Sequence, residues 1–181
     1  MDAALYAEIV ERRRHFSWPG YPSYADAGLD GDWITPYHLS SASFTGPVLL
    51  TYNFLDAPTA IAERSRLRET GYLAEMPFNR VLDLGLALAG LKRSDIYVTH
   101  AFHLLARQRS ERIPNAALDA SFDAIACHEL VDRRVIALGD AASRQCSRHA
   151  IPHQRTPHLS ARGLSFAERA EQLAAALKSA L

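Results

Sequence analysis

The stretch Arg134–Ala142, RVIALGDAA, decides the fold. Val135 to Leu138 run apolar without a break, and Gly139 follows at once. A short apolar run closed by a turn residue fits a strand buried on both faces, the kind found in parallel sheets. Gly139 permits a sharp turn, and Asp140-Ala141-Ala142 open a helix-favouring segment. A strand–glycine–helix unit aims free backbone N–H groups past the strand's end, which is where open α/β sheets bind ligands.

The same rhythm recurs on either side. Pro47–Asn53, PVLLTYN, reads as a first strand and Ile96–Phe102, IYVTHAF, as a second. His153–His158 reads as a short fourth, weakened by Pro152 and Pro157. Between the first two strands lie a polar helix over Ala60–Glu69 and a leucine-rich helix over Arg80–Leu91 that should be buried. Asn115 is placed to cap the helix that carries Phe122, Ile125, Ala126 and Leu130. A helix follows the third strand as far as Cys146, and Ser165 with Glu168 makes a capping box for a last helix over Phe166–Leu181. This alternation predicts an α/β fold: a three-layer α/β/α sandwich around a central four-stranded parallel sheet, its first and third strands at the centre.

Ahead of the first strand, Asp2–Arg14 reads as a helix with Leu5, Ile9 and Val10 on one side. Its Arg12-Arg13-Arg14 run is expected as a solvated last turn that complements the helix dipole. From His15 to Thr45 the chain is rich in Pro, Gly, Ser and aromatics. Three tyrosines and two tryptophans there point to an ordered wrapping arm along the sheet's flank. Residues 1–181 read as a single domain, with 1–45 as its N-terminal helix and arm.

Composition narrows the function classes. The 181 residues are 48% hydrophobic and 22% charged, as in an ordinary globular chain. The formal net charge is +0, which speaks against a non-specific DNA coater but leaves room for a local basic groove. Two cysteines, Cys127 and Cys146, make neither a disulfide framework nor a cysteine-ligated cluster. No apolar run reaches membrane-spanning length and no secretion signal is evident, so a cytoplasmic monomer with no membrane contact is expected.

The strand ends place Asn53, His100, Gly139 and His158 along one edge of the sheet. Around them lie Thr51-Tyr52-Asn53, Pro77-Phe78, Asp95–His100, Ile136–Ala142 and Pro157-His158-Leu159-Ser160-Ala161-Arg162. In order and spacing these segments resemble the uracil-DNA glycosylase superfamily, from Gly46 to the C-terminus. In its first motif the chain is most similar to the mismatch-specific branch, with Phe54 and Leu55 where that branch has glycines and a proline.

The resemblance implies base excision from single- or double-stranded DNA without metal or cofactor, the target base being swung out of the stack. It gives Asn53, or Asp56 three residues on, the task of placing water. Phe78 is to stack on the base, with Tyr52 as a further base-binding residue. His100 stands where the family usually has an asparagine that reads the pyrimidine edge, so a base other than uracil comes into view. His158 is to donate to the base carbonyl, Leu159 to wedge into the stack, and Ser160 to touch phosphate. Arg155 and Arg162 bracket that loop, and Arg107, Arg109 and Arg112 follow the second strand, so Arg109, Arg112 and Arg162 are the expected DNA contacts of a basic rim.

Other readings stand beside these. Asn53 could cap a turn, Phe78 could be core, and His100 could be a strand-end histidine with its bonds satisfied. Cys146, His149, His153 and His158 have only loosely metal-like spacing, and Cys127-His128-Glu129 reads as helix filler. A non-catalytic member that binds nucleic acid or a nucleotide is the main alternative. A metal-dependent nucleotide hydrolase would need acidic ligands at the strand ends, where only Asp56 and Asp140 are near.

Overall fold

The computed structural model describes residues 1–181. Strands β1 (Val48–Asn53), β2 (Tyr97–Phe102), β3 (Val135–Leu138) and β4 (His153–Thr156) form one sheet. All pairs are parallel and the order is β2-β1-β3-β4, so β1 and β3 hold the centre. The helices are α1 (Ala3–His15), α2 (Ala57–Ala62), α3 (Arg64–Thr70), α4 (Pro77–Ala89), α5 (Asn115–Ser121), α6 (Cys127–Glu129), α7 (Asp140–Arg148) and α8 (Phe166–Ser179). A π-helical turn, Phe122–Ala126, joins α5 to α6.

Alternation along the strands makes two cores. Leu49, Val98, Ile136 and Leu138 pack with Val81, Leu82 and Leu86 of α4 and with Leu173 and Leu177 of α8. Val48, Leu50, Tyr97, Val135 and Ala137 pack with Leu118, Phe122, Ala142 and Cys146 on the other side. This is the three-layer sandwich, set by the two-residue period of each strand. Helices α4 and α8 touch at Gly85, where a Cβ atom would meet Leu173 Cδ2 at 2.8 Å.

Several local expectations change. The leucine-rich helix is amphipathic rather than buried: Leu84 and Leu88, four residues apart, face outward. The polar helix is two short ones that break at Glu63. Asn115 is the first residue of α5 and makes no capping bond; its Oδ1 accepts from Arg144 instead. The arginine run is a solvated last turn only in part: Arg12 and Arg14 are exposed there, but Arg13 is not. Arg13 is buried, donating to Asp30 and to the carbonyls of Gly31 and Trp33, with its guanidinium 5.0 Å from the Trp33 ring centroid. Arg13 thereby fastens the arm to α1.

The arm runs beside the outer edge of β2. Ser43 N–H donates to Ile96, and Val98 N–H donates to Ser41, so the edge's unpaired groups are covered. Within the layer of α5 to α7 lies a polar cluster the sequence reading missed. Glu129, expected as helix filler, is only 1% exposed. Its carboxylate accepts from Tyr97 Oη at 2.6 Å and from Thr99 Oγ1 at 2.8 Å, with His103 Nε2 at 3.2 Å. These contacts hold its pKa below the ordinary carboxylate value although burial pushes the other way.

Candidate functional site

The C-terminal ends of the strands open into a cleft of 410 Å³. That volume lies within the range of small-molecule sites. Thr51, Asn53 and Phe54 reach it from β1 and its continuation, and His100 from β2. Phe78 comes from the first turn of α4, and His158, Ser160 and Arg162 from the loop after β4. Asn53, His100, Phe78 and His158, far apart in the chain, therefore face one hollow.

His158 has a defined tautomer. The Ser160 N–H donates to Nδ1 at 3.2 Å, so Nε2 carries the proton and donates to Thr51 Oγ1 at 3.0 Å. Burial, reinforced by the Arg169 guanidinium, pushes its pKa below 6.5 and keeps the ring neutral. The ring lies 5.6 Å from that of Phe78, tilted by 44°. Gly139 makes this position accessible: its φ is +90°, and a Cβ there would come within 3.2 Å of His158 Cβ. Arg169 of α8 fixes the loop from beneath, donating to the carbonyls of Leu159 at 2.8 Å and Ala161 at 3.0 Å.

Leu159 is a correction. It is 1% exposed and belongs to the core beside α4 and α8, so it cannot wedge into a base stack. Arg169 draws its carbonyl, and with it the residue, toward α8. Tyr52 is a second correction. It lies between Thr51 and Asn53, so strand alternation turns it to the opposite face, and it lines a different hollow.

Asn53 is half-buried and its amide makes no hydrogen bond within the protein, so it caps no turn and stays free for a ligand or water. Asp56 borders the cleft but caps α2, accepting from the Thr59 N–H at 3.0 Å and the Thr59 hydroxyl at 2.9 Å. His100 is fully buried on the cleft floor, with Nε2 2.9 Å from Thr35 Oγ1 and Nδ1 without a partner. Arg109 and Arg162 line the mouth, are exposed and pair with no acid, whereas Arg107 is tied to Glu111 and Arg155 to Asp140. Arg112 lies outside the cleft, in the Tyr52 hollow.

Sequence reasoning missed Thr51, Phe54, Tyr37 and Arg169. Thr51 was within reach, since it lies two residues before Asn53 on the same strand face. Tyr37 belongs to the arm; it is nearly buried, donates from its hydroxyl to Asn79 Oδ1 at 2.9 Å, and packs against Phe54, Phe78 and His100. No local pattern marks it. The loosely metal-like set does not gather: Cys146 is in the core, His149 contacts Asp123, His153 contacts Ser143, and His158 contacts Thr51. Asp56 and Asp140 border different hollows, so they do not form a shared acidic site. No helix is long and apolar enough to cross a membrane.

Three histidines are held neutral, chiefly by burial. The pKa of His38 falls to about 4, that of His100 well below 6.5, and that of His158 below 6.5. The unfolded chain takes up these protons near pH 6.5 and the folded chain does not. Stability is therefore full above pH 6.5 and falls as the pH drops toward 4. His38 alone accounts for about 3 kcal/mol over that span. Urea midpoints measured from pH 7.5 to 4.5 are expected to fall steadily below pH 6.5, and a flat profile would contradict this assignment.

Compared with models of known protein families and with curated proteins, the chain has no match.

Proposed function

We propose that the chain is a DNA glycosylase that takes an extruded base into the cleft and hydrolyses its N-glycosidic bond. The observation that carries this reading is the convergence of Phe78, neutral His158 and unpartnered Asn53 on one hollow. Breaking the bond leaves positive charge on the sugar and negative charge on the base. Such a site needs a flat platform, a donor at the developing anion, and a held water. Phe78 is the platform. His158 supplies Nε2–H, which turns from Thr51 Oγ1 to a carbonyl oxygen of the base. A neutral imidazole suits this task, because it donates without surrendering a proton. Asn53 orients the water. The bonding pair leaves with the base, the water oxygen bonds to the sugar carbon, and the water's proton ends on the departed base. Arg109 and Arg162 take the flanking phosphates, with Ser160 beside them.

A second reading, a non-catalytic binder of nucleic acid or a nucleotide, is favoured by Asp56. Its carboxylate, the one acid lining the cleft, is engaged at a helix cap, which leaves the cleft no free carboxylate to act as general base. Oligonucleotides carrying uracil, hypoxanthine or xanthine, single- and double-stranded, distinguish the two. Abasic sites, read as alkali-labile breaks, are expected from at least one. Binding in the cleft with no strand breakage for any base would leave only the binder.

A further inference from the structure

We infer that the hollow containing Tyr52, on the opposite face of β1, is a subsite for the nucleotide next in line to the one in the cleft. The inference rests on the reading above for what fills the cleft. The hollow has a volume of 550 Å³ and shares Ser110 with the cleft, so the two are neighbours along the C-terminal edge of the sheet. A strand that enters one is at the mouth of the other.

Its chemistry is that of a base with its phosphate. The Tyr52 ring is held in place, because its hydroxyl oxygen accepts from the Ile113 N–H at 2.7 Å. The residue is only half-buried, so part of its surface stays open. Arg112 is exposed and makes no hydrogen bond or ion pair, and Arg144 donates only to the neutral Asn115 Oδ1 at 3.0 Å. Two carboxylates border the hollow, and both are occupied elsewhere. Glu111 is paired with Arg107 and accepts from the Tyr21 hydroxyl, and Asp140 is paired with Arg155. A fixed aromatic ring beside two guanidinium groups without acidic partners is the combination that stacks a base and neutralises its phosphate. Buried Leu159 adds a reason for such a site. With no wedge to hold a strand open, contacts to neighbouring nucleotides must position it.

Equilibrium binding of labelled thymidylate oligomers of one, two, three and five nucleotides tests this, using the full chain and the Arg112→Ala/Arg144→Ala variant. Both arginines are solvent-facing or bonded only to Asn115, so the variant should keep its fold. The parent is expected to gain about tenfold or more in affinity between one and three nucleotides, as one stacked base contributes. In the variant that ratio is expected to collapse toward one, and the salt slope to fall by about 0.7 per lost phosphate contact. Equal length dependence in parent and variant overturns the subsite, as does failure of every oligomer to bind. Abasic-site formation is scored in parallel. Excision that continues unchanged in the variant removes the subsite and spares the enzyme. A length-dependent gain abolished in the variant, with no excision of any base, removes the enzyme and spares the subsite.

Discussion

Glu129→Ala is expected to remove about 3–5 kcal/mol of stability, the range for stripping one member from a buried charged cluster. The carboxylate is the common acceptor for Tyr97 Oη and Thr99 Oγ1, with His103 Nε2 at 3.2 Å. Alanine leaves these buried groups facing one another across a cavity that is closed to water. Each unmade bond costs on the order of 1–3 kcal/mol. Against a total stability of about 5–15 kcal/mol, that loss brings the chain near its unfolding threshold. Glu129→Gln keeps the volume but turns an NH2 donor toward a hydroxyl that also donates. An intermediate loss is expected from it. Glu171→Ala, on an exposed face of α8, should shift stability by no more than about 0.5 kcal/mol. The measurement is the urea midpoint at pH 7. A Glu129→Ala midpoint within error of the parent would mean that the cluster contributes nothing net.

Glu129 also shows where the sequence stopped being readable. Its neighbours Cys127 and His128 carry no strand or helix signature that distinguishes an inward carboxylate from an outward one. The partners that make burial tolerable, Tyr97 and Thr99 on β2 and His103 just after it, lie some 30 positions earlier in the chain. Only the sheet's layering brings them together. Strands β1 and β3 were legible because they carry the continuous apolar runs Val48–Leu50 and Val135–Leu138, the second closed by Gly139, whereas β4, HQRT, has no apolar residue and was readable only from the order of the elements. The capping box of α8 was legible because both of its bonds are local, and both are present. Arg13 misled for the opposite reason. A basic last turn is a sound local expectation, but the carbonyls of Gly31 and Trp33 are supplied by the arm folding back.

The candidate site divides the same way. Asn53 ends β1, Phe78 lies in the first turn of α4, His158 follows β4 and His100 sits two residues before the end of β2, so reading the elements in order was enough to collect them near one edge. Which way each side chain points was not readable. Tyr52 and Leu159 were each placed one residue from a cleft-lining position, and each faces away from the cleft. For Tyr52 the period of the strand decides it. For Leu159 the deciding partner is Arg169, ten residues later on α8.

On the proposed reading, His158→Ala is expected to slow base excision about 10²–10³-fold, the usual consequence of removing one donor from a developing anion. The argument rests on the ring's protonation. Nδ1 accepts from Ser160 and Nε2 donates, and burial with Arg169 nearby keeps the pKa below 6.5. The neutral donor is thus fully present at pH 7 and is lost as the pH falls through that lowered pKa. Protonation puts a second N–H at Nδ1, where it faces the Ser160 N–H and drives the loop off its seat. The excision rate should accordingly be level above pH 6.5 and decline on the acid side. In the alanine variant that acid limb should disappear along with the rate. His158→Gln, whose amide can reach toward the Nε2 position, should recover part of the loss. Binding of substrate should weaken much less than turnover in both variants, because the contact strengthens as charge leaves the sugar. A His158→Ala protein that excises at the parental rate, or one that loses binding and turnover in equal measure, would remove this residue from the chemistry.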